Sequence, residues 1–137
     1  MSSADKEHRI QINKELKEAM TGSCHCLAIR KKARQITRIY DDKLSEYGLT
    51  VTQFGIMTTI FVKKEISVQE LADFLDLNQS ALSRGLNPLV RDGLLLSQSD
   101  EEDARKRILT LTENGKQLIN NAAIGWKAAQ EESEKII

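Results

Sequence analysis

At Gly93 the hydrophobic period of the chain changes, and that change constrains the fold more than any other feature. Upstream, "SVQELADFLDLNQSALSRGLNPLVRDG" (67–93) carries Leu71, Ala72, Leu75, Leu77, Leu82, Leu86 and Leu89, mostly at helical steps. Ser67 with Glu70 three residues on is a helix start, and "DLN" (76–78) is a tight break. Asn78 is the cap of a following helix, Gln79 to about Arg91, which contains Pro88 and stops at Asp92-Gly93. Downstream, "LLLSQ" (94–98) and "KRILTLT" (106–112) read as strands around the polar tip "SDEEDAR". Two short helices on a tight turn, followed at once by a hairpin, make a winged helix-turn-helix with a two-stranded wing. The turn position often wants glycine and here is Asp76, a residue that tolerates a left-handed backbone better than most.

The flanking segments are helical, so the class is mainly α. Residues 5 to about 20 form a weak helix or an arm. A long helix follows from Cys24 to about Tyr47, with the stripe Cys26, Ile29, Ala33, Ile36, Tyr40, Leu44 and Tyr47. Thr50 and Gln53 form a capping-box pair for a helix over 51–63. Thr112 caps a last long helix from Glu113 to near the end, which Gly115 and Gly125 weaken locally. The expected organisation is an arm over 1–22 and one domain over 23–137, with the winged part at about 50–112. The long helices, about 23–47 and 113–137, carry more apolar stripe than so small a winged domain can cover. They are therefore expected to build the body of a homodimer.

The formal net charge is zero, so any attraction for nucleic acid must be local. The N-terminal residues lack a signal-type apolar core, and "FGIMTTIFV" is too short to cross a bilayer. No membrane association and a cytoplasmic location are expected. There is no C-x-x-C, no Gly-rich phosphate loop and no helix-borne His pair, so no enzymatic chemistry is expected.

Asn78, Gln79, Ser80, Ser83, Arg84 and Asn87 share the exposed face of the fourth helix. Amides, hydroxyls and one arginine suit base edges and phosphates, whereas a merely solvated face usually carries more Glu and Lys. At the hairpin tip Asp100, Glu101, Glu102 and Asp103 precede Arg105, Lys106 and Arg107. Asp103 is close enough to pair with Arg105 and hold it for a minor groove. Acids facing DNA would repel phosphates, and a solvated charge run explains the tip equally well.

"LTVTQFGIMTTI", "SVQELADFLDLNQSALSRGLNPLVRDGLL" and "DARKRILTLTENG" resemble the MarR (multiple-antibiotic-resistance regulator) family of transcription factors. The most specific part is the wing pattern, here Asp103, Arg105, Arg107, Leu111, Thr112 and Gly115. The resemblance implies an obligate homodimer that binds pseudo-palindromic double-stranded DNA and alters transcription, as a repressor above all. Ser80, Ser83, Arg84 and Asn87 match recognition positions, Arg105 the minor-groove arginine and Asp103 the acid that orients it. Ala81 and Ala104 depart from the polar or basic residues common there. A small aromatic effector is also implied, with Tyr40, Phe54, Met57 and Trp126 as candidate pocket walls. A cofactor is not expected. A winged-helix protein–protein module is the alternative from another class.

"SCHC" (23–26) holds both cysteines. Ser23 as cap would put Cys24, His25 and Cys26 in the first turn, where the helix end favours negative charge. Cys26 lies on the apolar stripe and is expected in the core. Cys24, about 200° around the helix, is expected to be exposed. Ordinary packing, a thiol switch and a soft-metal site (Cys24, His25, Cys26) all remain open. Adjacent helix residues cannot all point at one ion, which weighs against the metal.

Overall fold

Every helix from the third onward opens on a side chain that closes its own first turn. In the computed structural model, which describes residues 3–18, 20, 22 and 24–137, Thr50 accepts from the Gln53 amide and Gln53 answers as a capping box. Ser67 accepts from the Glu70 amide, Asn78 from Ala81 and Thr112 from Gly115. Each bond satisfies a donor that a helix leaves orphaned at its start. The resulting helices are α1 (Ser3–Glu18), α2 (His25–Leu44), α3 (Val51–Lys63), α4 (Val68–Leu75), α5 (Gln79–Arg91) and α6 (Glu113–Ser133). The long helix expected to reach Tyr47 tightens into a 3-10 turn over Ser45–Tyr47 and ends on left-handed Gly48.

The chain divides into two compact units, Met1–Arg38 and Ile39–Ile137, with the boundary inside α2. The second unit carries the wing. β2 (Leu95–Ser99) and β3 (Arg107–Leu111) pair antiparallel, as the alternating pattern predicts. A third strand, β1 (Glu65–Ser67), pairs with the other edge of β3, matching Ile66 to Leu109. The sequence did not announce β1, because three residues before a helix cap are too few to show alternation.

The core of this unit gathers Ile56, Met57 and Ile60 of α3 with Leu71, Leu82, Leu89 and Leu109. These side chains are at most 1% exposed, which makes the helix pair and the wing share one apolar centre. Two glycines that the sequence presents as weak points are sites of close approach. A Cβ on Gly115 would overlap the Leu94 carbonyl oxygen, and one on Gly125 would stand 2.7 Å from the Lys43 oxygen. Thr112 strengthens the first approach by donating its hydroxyl to the Gly93 carbonyl at 2.7 Å. The start of α6 is thus fixed to the base of the wing. Among the described residues no helix is long and apolar enough to cross a membrane.

Candidate nucleic-acid interface

The turn between α4 and α5 is made by Asp76, left-handed at φ 52° and ψ 48°. The Leu77 amide donates back to the Ala72 carbonyl at 3.0 Å, closing the end of α4. α5 then buries Leu82, Leu86 and Leu89 and seats Gly85 on Ile56, where a Cβ would come within 3.0 Å of the Ile56 methyl. This packing turns Asn78, Gln79, Ser80, Ser83, Arg84 and Asn87 outward, and all six are exposed. They are not equivalent. Asn78 Oδ1 is engaged in the cap, accepting from the Ala81 amide at 2.8 Å, so Asn78 offers a partner only its amide nitrogen.

On the wing, one carboxylate oxygen of Asp103 accepts from both the backbone amide of Arg105, at 3.1 Å, and its Nε, at 3.4 Å. The Arg105 side chain is nevertheless 93% exposed, so the terminal nitrogens project into solvent. An exposed pair of this kind adds little stability, about 0–1 kcal/mol, but it fixes a direction. Arg107 behaves differently. Its guanidinium donates to Ser97 Oγ at 3.2 Å, to the Ser97 carbonyl at 3.0 Å and to Ser99 Oγ at 3.3 Å. It braces β3 against β2, and all three of its guanidinium nitrogens are engaged.

The helix pair and the wing meet at a concavity of about 580 Å³ lined by Ser67, Val68, Gln69 and Gln79 on one side and Asp103, Arg105, Lys106 and Arg107 on the other. Asp100, Glu101 and Glu102 line a separate concavity with Glu65 and Glu70. The three acids are therefore segregated from the arginines, a separation that a linear run of charges cannot display. Lys106 reaches Glu70 at 3.8 Å and touches both concavities. Ser67, Gln69 and Lys106 were not anticipated as site residues. The helix start at Ser67 was legible, but its place opposite the wing depends on tertiary folding.

The candidate pocket walls are occupied by packing. Tyr40, Phe54 and Met57 are buried, and Tyr40 donates its hydroxyl to Gln130 Oε1. Phe54 stacks on Trp126 with ring centroids 6.4 Å apart. The expectation for the cysteines is corrected: Cys26 is exposed and Cys24 is half-buried. The stripe of α2 is buried only at its end, at Tyr40 and Leu44, while Ile29 is 68% exposed. Cys26 belongs to the uncovered half. Ser23 lies outside the described residues. The Cys24 carbonyl accepts from the Ala28 amide at 3.1 Å, which places Cys24 at the cap and His25 first in the helix. Cys24 lines a concavity of about 420 Å³ with Met20, Leu27, Lys31, Lys32 and Gln35 among its walls. Among the described residues no three His, Cys, Asp or Glu side chains come together as a metal-ligand set, so Cys24, His25 and Cys26 do not assemble one.

A model of the MarR family matches residues 49–106, from the residue before the α3 cap to the wing tip. The transcriptional regulator SarZ of Staphylococcus epidermidis is 27% identical over 95 residues, covering 69% of this chain and 64% of that protein. The organic hydroperoxide resistance transcriptional regulator of Bacillus subtilis is 25% identical over 90 residues, covering 66% of this chain and 61% of that protein. The chain thus spans less than two thirds of the length of these relatives. The M. tuberculosis transcriptional regulator MosR, solved in complex with DNA, is 31% identical with a TM-score of 0.75, covering 84% of each chain.

Proposed function

The chain belongs to the MarR family, and from that premise we propose that it is a dimeric, sequence-specific DNA-binding regulator acting as a transcriptional repressor in the cytoplasm. The observation that carries this reading is the shared concavity, where the start of the outward face of α5 stands opposite the Asp103-held Arg105. A helix presenting short polar side chains suits a major groove, and an exposed arginine on a hairpin suits the narrow flanking minor groove. Relatives named as transcriptional regulators, and a MosR structure containing DNA, support the same reading.

The test is a fluorescence-anisotropy titration of operator DNA, obtained by selection, across a salt series. Arg84→Ala and Arg105→Ala are each expected to weaken binding by about 1–3 kcal/mol or to reduce the salt slope by about 1. Wild-type protein that distinguishes no DNA sequence from random DNA overturns the reading.

Regulation is assigned to the dimer body. An exposed Cys26 and a half-buried Cys24 stand at the start of α2, and a peroxide would convert either thiol to a sulfenic acid with release of water. A shift of 1–3 kcal/mol between body and recognition helices suffices to empty an operator. Peroxide treatment is expected to weaken operator binding by wild type, and Cys24→Ser with Cys26→Ser to abolish that response. Equal operator affinity before and after oxidation leaves a small-molecule effector as the regulator.

A further inference from the structure

Between residues 39 and 137 the chain has four arginines, Arg84, Arg91, Arg105 and Arg107. Three are engaged within the chain: Arg91 pairs with Asp92 at 3.3 Å, Arg105 with Asp103, and Arg107 braces the wing. Arg84 has no side-chain partner among the described residues. Its five N–H donors are all available.

Its direction is set by the packing of α5. At about 100° per residue, Arg84 lies about 190° around the helix from the mean of the buried Leu82, Leu86 and Leu89. It therefore points directly away from the core. Its neighbours on that face are short: Ser80 one turn before, Ser83 beside it and Asn87 one turn after, all exposed. Nothing on the helix screens it or competes for its donors. Gln79 and Ser83 sit toward one flank of the face, the direction of a groove wall. The central, outward residue is the one that meets the groove floor.

We infer that Arg84 is the main base-reading residue of this chain and takes a guanine, donating in parallel to its O6 and N7 in each half-site of the operator. A planar fork of donors matches two adjacent acceptors, and among the base pairs only guanine presents two acceptors side by side in the major groove. A phosphate would accept the same fork, but phosphates lie on the walls of the groove rather than on its floor. The inference rests on the DNA-binding reading above.

The experiment is selection of bound duplexes from a random library by the full chain, as wild type, Arg84→Ala and Arg84→Lys. Titration of the selected duplex with guanine replaced by 7-deazaguanine, which lacks the N7 acceptor, follows. Wild type is expected to select one fixed guanine in each half-site. Arg84→Ala should lose that preference by roughly 5- to 150-fold, and Arg84→Lys should recover it only in part. The 7-deaza substitution should weaken wild type about tenfold or more and leave Arg84→Ala unchanged. The modified base tests the contact in the unaltered protein, whatever the variants do to folding. Selected sites with no fixed guanine, or a 7-deaza effect equal in wild type and Arg84→Ala, overturn the inference while leaving DNA binding intact. Selection of no sequence by wild type overturns both. Uniform weakening by Arg84→Ala with an unchanged consensus assigns Arg84 to a phosphate and also overturns it.

Discussion

Asp103 and Arg105 stand two residues apart, and both bonds between them are made inside that span, which is why their pairing is legible in the sequence. Arg107 is not legible in the same way. It reads as one more basic residue of the wing run, and only the register of β2 against β3 shows that it holds Ser97 and Ser99. Its part in DNA binding is accordingly indirect. Arg107→Ala is expected to speed hydrogen exchange at wing-tip amides while changing global stability by less than about 1 kcal/mol, since exposed hydrogen bonds contribute little. Arg107→Lys should not restore protection, because one ammonium cannot reach three divergent acceptors. Unchanged wing-tip exchange in Arg107→Ala would remove the brace. Gly115 is the opposite kind of residue, silent in sequence and constrained by backbone. Gly115→Ala forces a methyl onto the Leu94 carbonyl and should lower unfolding stability in urea by about 3 kcal/mol. The cysteines show where residue-level reasoning fails. Cys26 shares the period of a buried stripe, but a stripe is buried only where something covers it.

The elements from α3 onward were legible because their signals are local. Thr50, Ser67, Asn78 and Thr112 each contact the residue three positions on, so sequence alone places the helix starts. Asn78→Ala is expected to cost about 1 kcal/mol, because it frees the Ala81 amide at the start of the recognition helix. Asp76 carries a left-handed backbone that glycine adopts without steric cost. Asp76→Gly should therefore stabilise the fold by about 0.5–1 kcal/mol and Asp76→Ala should destabilise it, as read from the urea midpoint. Opposite signs for the two variants would contradict the strain at this turn. Strand β1 escaped because its pairing with β3 joins segments more than 40 residues apart in sequence, and Ile66 is its single apolar residue.

On the scale of the whole molecule, a zero formal charge makes binding depend on where charge is placed. The wing does this by separating Asp100, Glu101 and Glu102 from Arg105. α2 leaves Leu27 and Ile29 exposed and α6 leaves Ile124 exposed, which fits helices that meet a second copy of the chain in the proposed dimer. Sedimentation equilibrium should show a dimer at micromolar concentration, shifted toward monomer in Ile29→Glu and in Ile124→Glu. A wild-type monomer under those conditions would remove the two-fold arrangement on which reading two half-sites depends. The central claim, that α5 and the wing of each protomer read one DNA site together, is tested most directly by hydroxyl-radical footprinting on the selected duplex. Two protected tracts about one helical turn apart are predicted, each with a flanking minor-groove tract that Arg105→Ala alone erases. A single continuous tract without two-fold spacing, or flanking protection unchanged in Arg105→Ala, would contradict it.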